Sequence, residues 1–253
     1  MISFKDKLHI STVAEDAAAL AGEYGLGVEI AEFCTAYNMD LDFGMWDSRV
    51  KDQMTNANRF TFHAPLNELC PAAIDPMIVE VAMKRFNQAY ELMSGYGIST
   101  MIVHSGNVPI LYNTDWFIEH SIPFWKEFLS DKPEDLRLCI ENLFENSPKP
   151  LTEIVEAVDD DRFRLCLDIG HAEIFREDIT LEKWVETVAH LVAHVHLHNN
   201  DGINDSHSAA GVGIIKLAPI IQTLTKRAPQ ATYTIESIDA ESSIKWMQTE
   251  GII

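Results

Sequence analysis

Histidine and carboxylate side chains recur in this chain at the ends of short apolar runs. One run reads Phe60-Thr61-Phe62-His63, another Met101-Ile102-Val103-His104, and a third Cys139-Ile140-Glu141-Asn142. Further on come Cys166-Leu167-Asp168-Ile169-Gly170-His171, then His194-Val195-His196-Leu197-His198, then Thr234-Ile235-Glu236. Val28-Glu29-Ile30 adds one more acid near the N-terminus. Imidazole and carboxylate together suit a borderline divalent ion such as Zn, Mn, Fe or Co. Any one of these histidines alone reads as an ordinary rim residue. Six successive runs ending on ligand types are poorly explained by rim polarity, and buried ionisable groups require compensation. A metal centre supplies it.

A second signal follows the histidine-rich run: Asn204-Asp205-Ser206-His207, then Gly211-Val212-Gly213. In an extended segment, Asp205 and His207 project to the same side and suit one ion. Alternation also gives the neighbours of the candidate ligands. Cys139 shares a face with Glu141, and Cys166 shares one with Asp168, so both thiols point inward one layer below the site. His194, His196 and His198 share a face too, and alternation does not choose among them.

The elements that must position these residues repeat in kind. Eight β-prone runs are expected at Leu8–Ser11, Gly27–Phe33, Phe60–His63, Thr100–His104, Arg137–Asn142, Arg164–Asp168, Ala193–His198 and Thr232–Glu236. Segments with helical spacing separate them. In 76–96, Ile78, Val81, Ala82, Phe86, Ala89, Tyr90 and Met93 recur at three- and four-residue intervals, with Asp75 as N-cap and Pro76 in the first turn. Alternating strands and helices imply right-handed βαβ units and a parallel sheet. No glycine-rich phosphate loop follows the first strand, which disfavours a dinucleotide fold. The expectation is a single-domain α/β protein over residues 1–253, a (β/α)8 TIM barrel. Active sites of that fold lie at the strand C-termini, where all these ligand types fall.

Composition narrows the partners. A formal net charge of −20 disfavours electrostatic grip on nucleic acid or an anionic membrane. Met1–Lys7 lacks an apolar leader core, and no run approaches the length of a membrane span. Cys34, Cys70, Cys139 and Cys166 show no CxxC spacing. Free thiols in a reducing compartment are expected, and with them a cytoplasmic location.

CIEN at Cys139–Asn142, CLDIGHA at Cys166–Ala172 and HLHNNDG…DSH…GVG from His196 to Gly213 carry a resemblance. The chain resembles the xylose-isomerase-like, AP-endonuclease-family-2 TIM barrels along essentially its whole length. That superfamily includes ketohexose 3-epimerases, hydroxypyruvate isomerase, inosose dehydratase and the endonuclease IV type of repair enzyme. The endonuclease IV type implies three zinc ions on nine ligands. Those positions are occupied here by His63, His104, Glu141, Asp168, His171, His196, Asp205, His207 and Glu236. The epimerase branch implies one Mn or Co ion on Glu141, Asp168, His196 and Glu236, with His171 beside the substrate. His196 matches the ligand position of the HLH run, with His198 as second choice.

The resemblance has departures. The loops after the second and third strands, Ala31–Thr35 and Ala64–Asn67, lack an arginine near the site and the aromatic wedge of the DNA-repair members. Two chemistries remain, with one to three divalent ions. In the first, a sugar isomerase or epimerase acts on a small carbohydrate. The metal acidifies a carbon-bound proton, Glu141 and Glu236 exchange it, and His171 or His198 stabilises the oxyanion. Trp46, Phe33 or Trp116 would pack on a sugar face, and Arg49, Arg176 and Lys216 form no evident phosphate clamp. In the second, a multi-zinc hydrolase activates water on a small phosphoester or amide. The full ligand set favours hydrolysis; the acidity and the missing DNA loops favour the sugar chemistry. A non-catalytic sugar-binding barrel is the remaining alternative.

Overall fold

The computed structural model describes residues 3–253. Its strands are β1 (Leu8–Ser11), β2 (Gly27–Ile30), β3 (Phe60–His63), β4 (Thr100–His104), β5 (Arg137–Glu141), β6 (Phe163–Asp168), β7 (Val192–Leu197) and β8 (Thr232–Ile235). All neighbours pair in parallel, and β8 returns to β1, closing the expected eight-stranded barrel. At least one helix follows every strand, including Pro76–Gly95 after β3, Ile169–Phe175 after β6 and Leu217–Arg227 after β7. Among the described residues no helix is long and apolar enough to cross a membrane.

Several expected strands stop one residue earlier, leaving Asn142, His198 and Glu236 just past the ladder. The second stops three residues earlier, at Ile30. Asp75 caps its helix as expected, its Oδ1 accepting from the Met77 amide at 2.9 Å. Ala82, Phe86, Ala89 and Met93 of that helix are buried, whereas Ile78 and Val81 face outward in its first turns.

The strands divide their side chains between two unlike layers. Outward residues such as Leu8, Val28, Phe62, Val103, Ile140, Leu167, Val195 and Tyr233 join the helices in one large apolar core. Inward positions are mostly polar, where a barrel of this kind is ordinarily filled by branched aliphatics. Among the described residues only Ile102, Cys139, Cys166 and Ala193 form an apolar cluster inside. That places both thiols where alternation put them, with burial pushing the Cys139 thiol up to about 12. Register then sets the site. Paired residues of neighbouring strands share a face, so His104 stands beside Glu141 and Asp168 beside His196. A register shift between Leu165 and Cys166 brings His194 opposite Cys166, so the histidines of β7 turn inward.

Gly27 makes room for one of these inward groups. A Cβ there would lie 2.1 Å from the ring of His9, which is buried against the Tyr233 carbonyl at 3.2 Å. Overpacking of this kind costs about 1–3 kcal/mol. Gly27→Ala should therefore lower the unfolding free energy by about that amount, read in urea titrations. In a His9→Ala background the penalty should shrink; an equal penalty there would refute the steric account.

Candidate metal centre

Four residues of ligand type converge at the C-terminal mouth of the barrel. Glu141, Asp168, His196 and Glu236 each offer an atom within 4.8 Å of the others. Nδ1 of His196 stands 2.9 Å from Glu141 Oε1, 3.1 Å from Glu236 Oε2 and 3.8 Å from Asp168 Oδ2. Asp168 is held from two sides. Asn142 donates to its carbonyl and accepts from its amide, both at 2.9 Å. Its carboxylate caps the helix Ile169–Phe175, accepting from the His171 amide at 2.6 Å. On the far side, Nε2 of His63 and of His104 approach Glu141 Oε2 at 3.3 and 3.4 Å.

A second group lies against the first. His171, His198, Asp205 and His207 also offer atoms within 4.8 Å of one another. Asp205 Oδ2 stands 3.1 Å from His171 Nε2 and 3.3 Å from His207 Nε2. His198 Nε2 meets both Asp168 oxygens at 3.1 Å. The bare Cα of Gly170 permits this, since a Cβ would fall 2.0 Å from the His198 ring. The Asp205–His207 stretch is not the extended segment read from the sequence. His207 adopts φ 43°, and its ring stacks on His198 with centroids 4.1 Å apart. The two side chains meet because the loop turns, not because they alternate.

The electrostatics follow from burial and proximity. Burial pushes Glu141 and Asp168 toward the neutral acid, yet the surrounding imidazoles hold both well below the usual carboxylate range. Burial opposes the charge of His196 and His171 as well, and the carboxylates nonetheless hold both well above the usual range. His207 is raised to about 9 against its burial, by Asp205 and Glu236 among others, whereas burial lowers His104 to about 4. Positive charge is thus required at this mouth, and imidazole protons can carry it. A divalent cation satisfies the same carboxylates and competes with those protons.

The donor set fits such an ion. Buried Glu141 Oε2 and Glu236 Oε2 have no aligned hydrogen bond, despite nitrogens 3.1–3.4 Å away. Near misses between buried opposite charges are expected of atoms aimed at a common centre instead of at each other. All nine residues of the larger ligand set lie at this mouth, although His63 and His104 are outside both four-residue groups.

A cavity of about 460 Å³ opens over both groups. His63, His104, His171, Asp205, His207 and Glu236 form its polar floor, and Val13, Leu66, Leu69, Val108 and Phe144 contribute apolar wall. None of the aromatic residues expected to cover a sugar lines it. Phe33 is fully buried in the outer core, Trp46 packs against that core, and Trp116 donates to the Ala72 carbonyl while stacking on His120. The strand end at Ile30 explains Phe33, because the chain turns before it and carries its ring under the helices. Phe144 stands at the wall instead. No lysine or arginine lines the cavity among the described residues. Arg49 and Arg176 are engaged by Glu32 and Glu173.

Sequence reasoning passed over Glu145, buried beneath this wall. It accepts from the Ser105 hydroxyl at 2.6 Å and the Leu143 amide at 2.7 Å, tying the loops after β4 and β5 together. Its position in a loop of mixed polarity gave no periodic signal.

Comparison with known proteins gives the same architecture. The uncharacterized protein MJ1311 of Methanocaldococcus jannaschii is 23% identical over 72% of this chain and 66% of its own length. The TTHB071 protein of Thermus thermophilus, solved after soaking with ZnCl2, superposes with a TM-score of 0.75 at 21% identity, covering 96% of this chain and 97% of that one. D-psicose 3-epimerase of Clostridium cellulolyticum H10, solved with D-tagatose, gives 0.71 at 15% identity, covering 90% and 83%. The family description "xylose isomerase-like TIM barrel" matches residues 10–250. With nearly the whole chain matched and the closed barrel formed, this protein belongs to the xylose isomerase-like TIM barrel family.

Proposed function

We propose that this chain is a divalent-metal-dependent isomerase or epimerase that moves a proton at a carbon next to the carbonyl of a small, uncharged sugar. The observation that carries this reading is the pair Glu141 and Glu236. Glu236, the residue after β8, lines the cavity floor, Glu141 of β5 is buried behind His63 and His104 of that floor, and both approach His196 Nδ1. Two carboxylates on different staves of a barrel can face two sides of one carbon, as proton exchange with inversion or transfer requires. Glu141, Asp168, His196 and Glu236 would hold the ion. When bound, it would polarise adjacent carbonyl and hydroxyl oxygens and so acidify the carbon-bound proton.

The chain's own groups do the remaining work. One glutamate takes the proton from carbon, and the other returns one to the opposite face or the adjacent carbon. His171 Nε2, facing Asp205 at 3.1 Å, is placed to donate toward a developing oxyanion. The apolar wall limits water at the reacting carbon. With no lysine or arginine along the cavity, a phosphate group would find no cationic partner. An uncharged sugar and no nucleic acid fit this lining, and the bound D-tagatose of the Clostridium neighbour is of that class.

A second reading, a multi-zinc hydrolase, is favoured by one specific feature: the group His171, His198, Asp205 and His207 beside the first. A second ion there would suit activation of water. Metal counting separates the two. Protein purified with Mn²⁺ and Co²⁺ available should hold about one equivalent by elemental analysis, and His207→Ala should keep it. Two or three equivalents of zinc, with one lost in His207→Ala, would move the assignment to hydrolysis.

Chemistry gives an independent check. In D2O the metal-loaded protein should place solvent deuterium at the carbon beside the carbonyl of a free ketose. Glu236→Gln should slow that exchange by about 10²–10⁴-fold, with metal content measured on the same sample. Absence of exchange across a panel of free ketopentoses and ketohexoses would overturn the epimerase reading.

A further inference from the structure

One layer below the candidate ligands, the barrel interior holds a buried polar network that the proposed chemistry does not use. At its centre is Glu29 of β2, fully buried. Its Oε2 accepts from the Thr61 and Thr234 hydroxyls, both at 2.9 Å, and lies 3.1 Å from His194 Nε2. Its Oε1 faces Nε2 of His196 at 3.2 Å, a charge pair outside hydrogen-bond alignment, and neither of those two atoms has a hydrogen-bond partner. The opposite nitrogen of the same ring, Nδ1, is the one that faces Glu141, Glu236 and Asp168.

We infer that Glu29 is the positioning residue of this site: it holds the Nε2–H of His196 from below and so commits Nδ1 to the ion above. The inference rests on the reading of His196 as a ligand. Its physical basis is the chemistry of imidazole. A neutral ring has one N–H and one lone pair, so fixing the proton on Nε2 presents the lone pair at Nδ1. A carboxylate accepting that proton also fixes the ring plane and raises ligand basicity.

The three donors on Oε2 explain why Glu29 itself can be held so firmly. Thr61 and Thr234 come from β3 and β8, and His194 from β7, so the carboxylate is braced from three staves. His194 is in turn fixed by Thr232 Oγ1 at 2.7 Å from its Nδ1. Glu29, His194 and His196 also lie close enough together to resemble a cation site of their own. That alternative fails on donor count. Oε2 is already taken by three partners, and an ion at Oε1 would need both nitrogens of His196 to be ligands at once.

The test compares Glu29→Gln with the wild type by competition against a chromogenic Zn²⁺ chelator. Affinity should fall about 10–100-fold, while thermal melts in EDTA establish that the variant is folded. In ¹⁵N-labelled, Zn²⁺-loaded wild type, His196 should coordinate through Nδ1 and show a low-field, slowly exchanging Nε2 proton. That proton should move upfield or vanish in Glu29→Gln. Should Glu29→Gln not fold, Thr234→Val removes a single donor and should give the same shift in smaller measure. Unchanged affinity with an unmoved proton, or coordination through Nε2, overturns the inference. If wild type took up no Zn²⁺, the metal reading would fall separately. The Nε2 proton of EDTA-treated protein, moved or unmoved by Glu29→Gln, would then decide the contact itself.

Discussion

Burying a carboxylate in a barrel is tolerable only if its charge is met, and this requirement governs the interior of the molecule. Glu29, Glu141 and Asp168 are shut off from solvent, with Glu236 nearly so. Isolated, each would be forced toward its neutral form at a cost of several kcal/mol. Instead each lies within reach of imidazole nitrogens on neighbouring or facing strands, and each of the first three stays ionised. The two layers answer to this constraint. An apolar shell between strands and helices stabilises the fold, so the inner layer is free to be polar.

That division also sets the chemistry available. A barrel filled with aliphatics would have offered only its loops as a site. Here the inward faces carry a graded column, with the apolar cluster of Cys139 and Cys166, the Glu29 network, and above them the converging carboxylates and histidines. Ligands set on strands and braced from below hold their geometry more closely than ligands on loops.

The second group contrasts with this order. Asp205 and His207 come from a long loop, and His207 sits in a backbone conformation that few non-glycine residues adopt. Its placement depends on the Asn199–Ser208 bridge and on the Glu236 carbonyl, which lies 2.8 Å from its Nδ1. The strand-borne quartet is built into the barrel, whereas this pair is brought to it. Asp205 and His207 also line the cavity, so the same segment that joins the second group shapes what can enter.

Much of this was legible in the chain itself. Eight β-prone runs separated by helical spacing dictate a barrel, because parallel strands joined by helices have few other ways to close. The polar endings of those runs marked His63, His104, Glu141, Asp168 and Glu236, and the His194–His198 run without choosing within it, since all strand C-termini of a barrel share one face. Alternation is local, which is why it placed Cys139 and Cys166 inside. What alternation could not supply is register between strands distant in sequence. Only the closed barrel brings Glu29 under His196, separates the roles of His194, His196 and His198, and stacks His207 on His198. It likewise carried Phe33 away from the cavity and put Phe144 at its wall, because a turn of a few residues decides which layer a side chain joins. Residue types fixed what the interior could bind; the pairing of the staves decided which atoms meet.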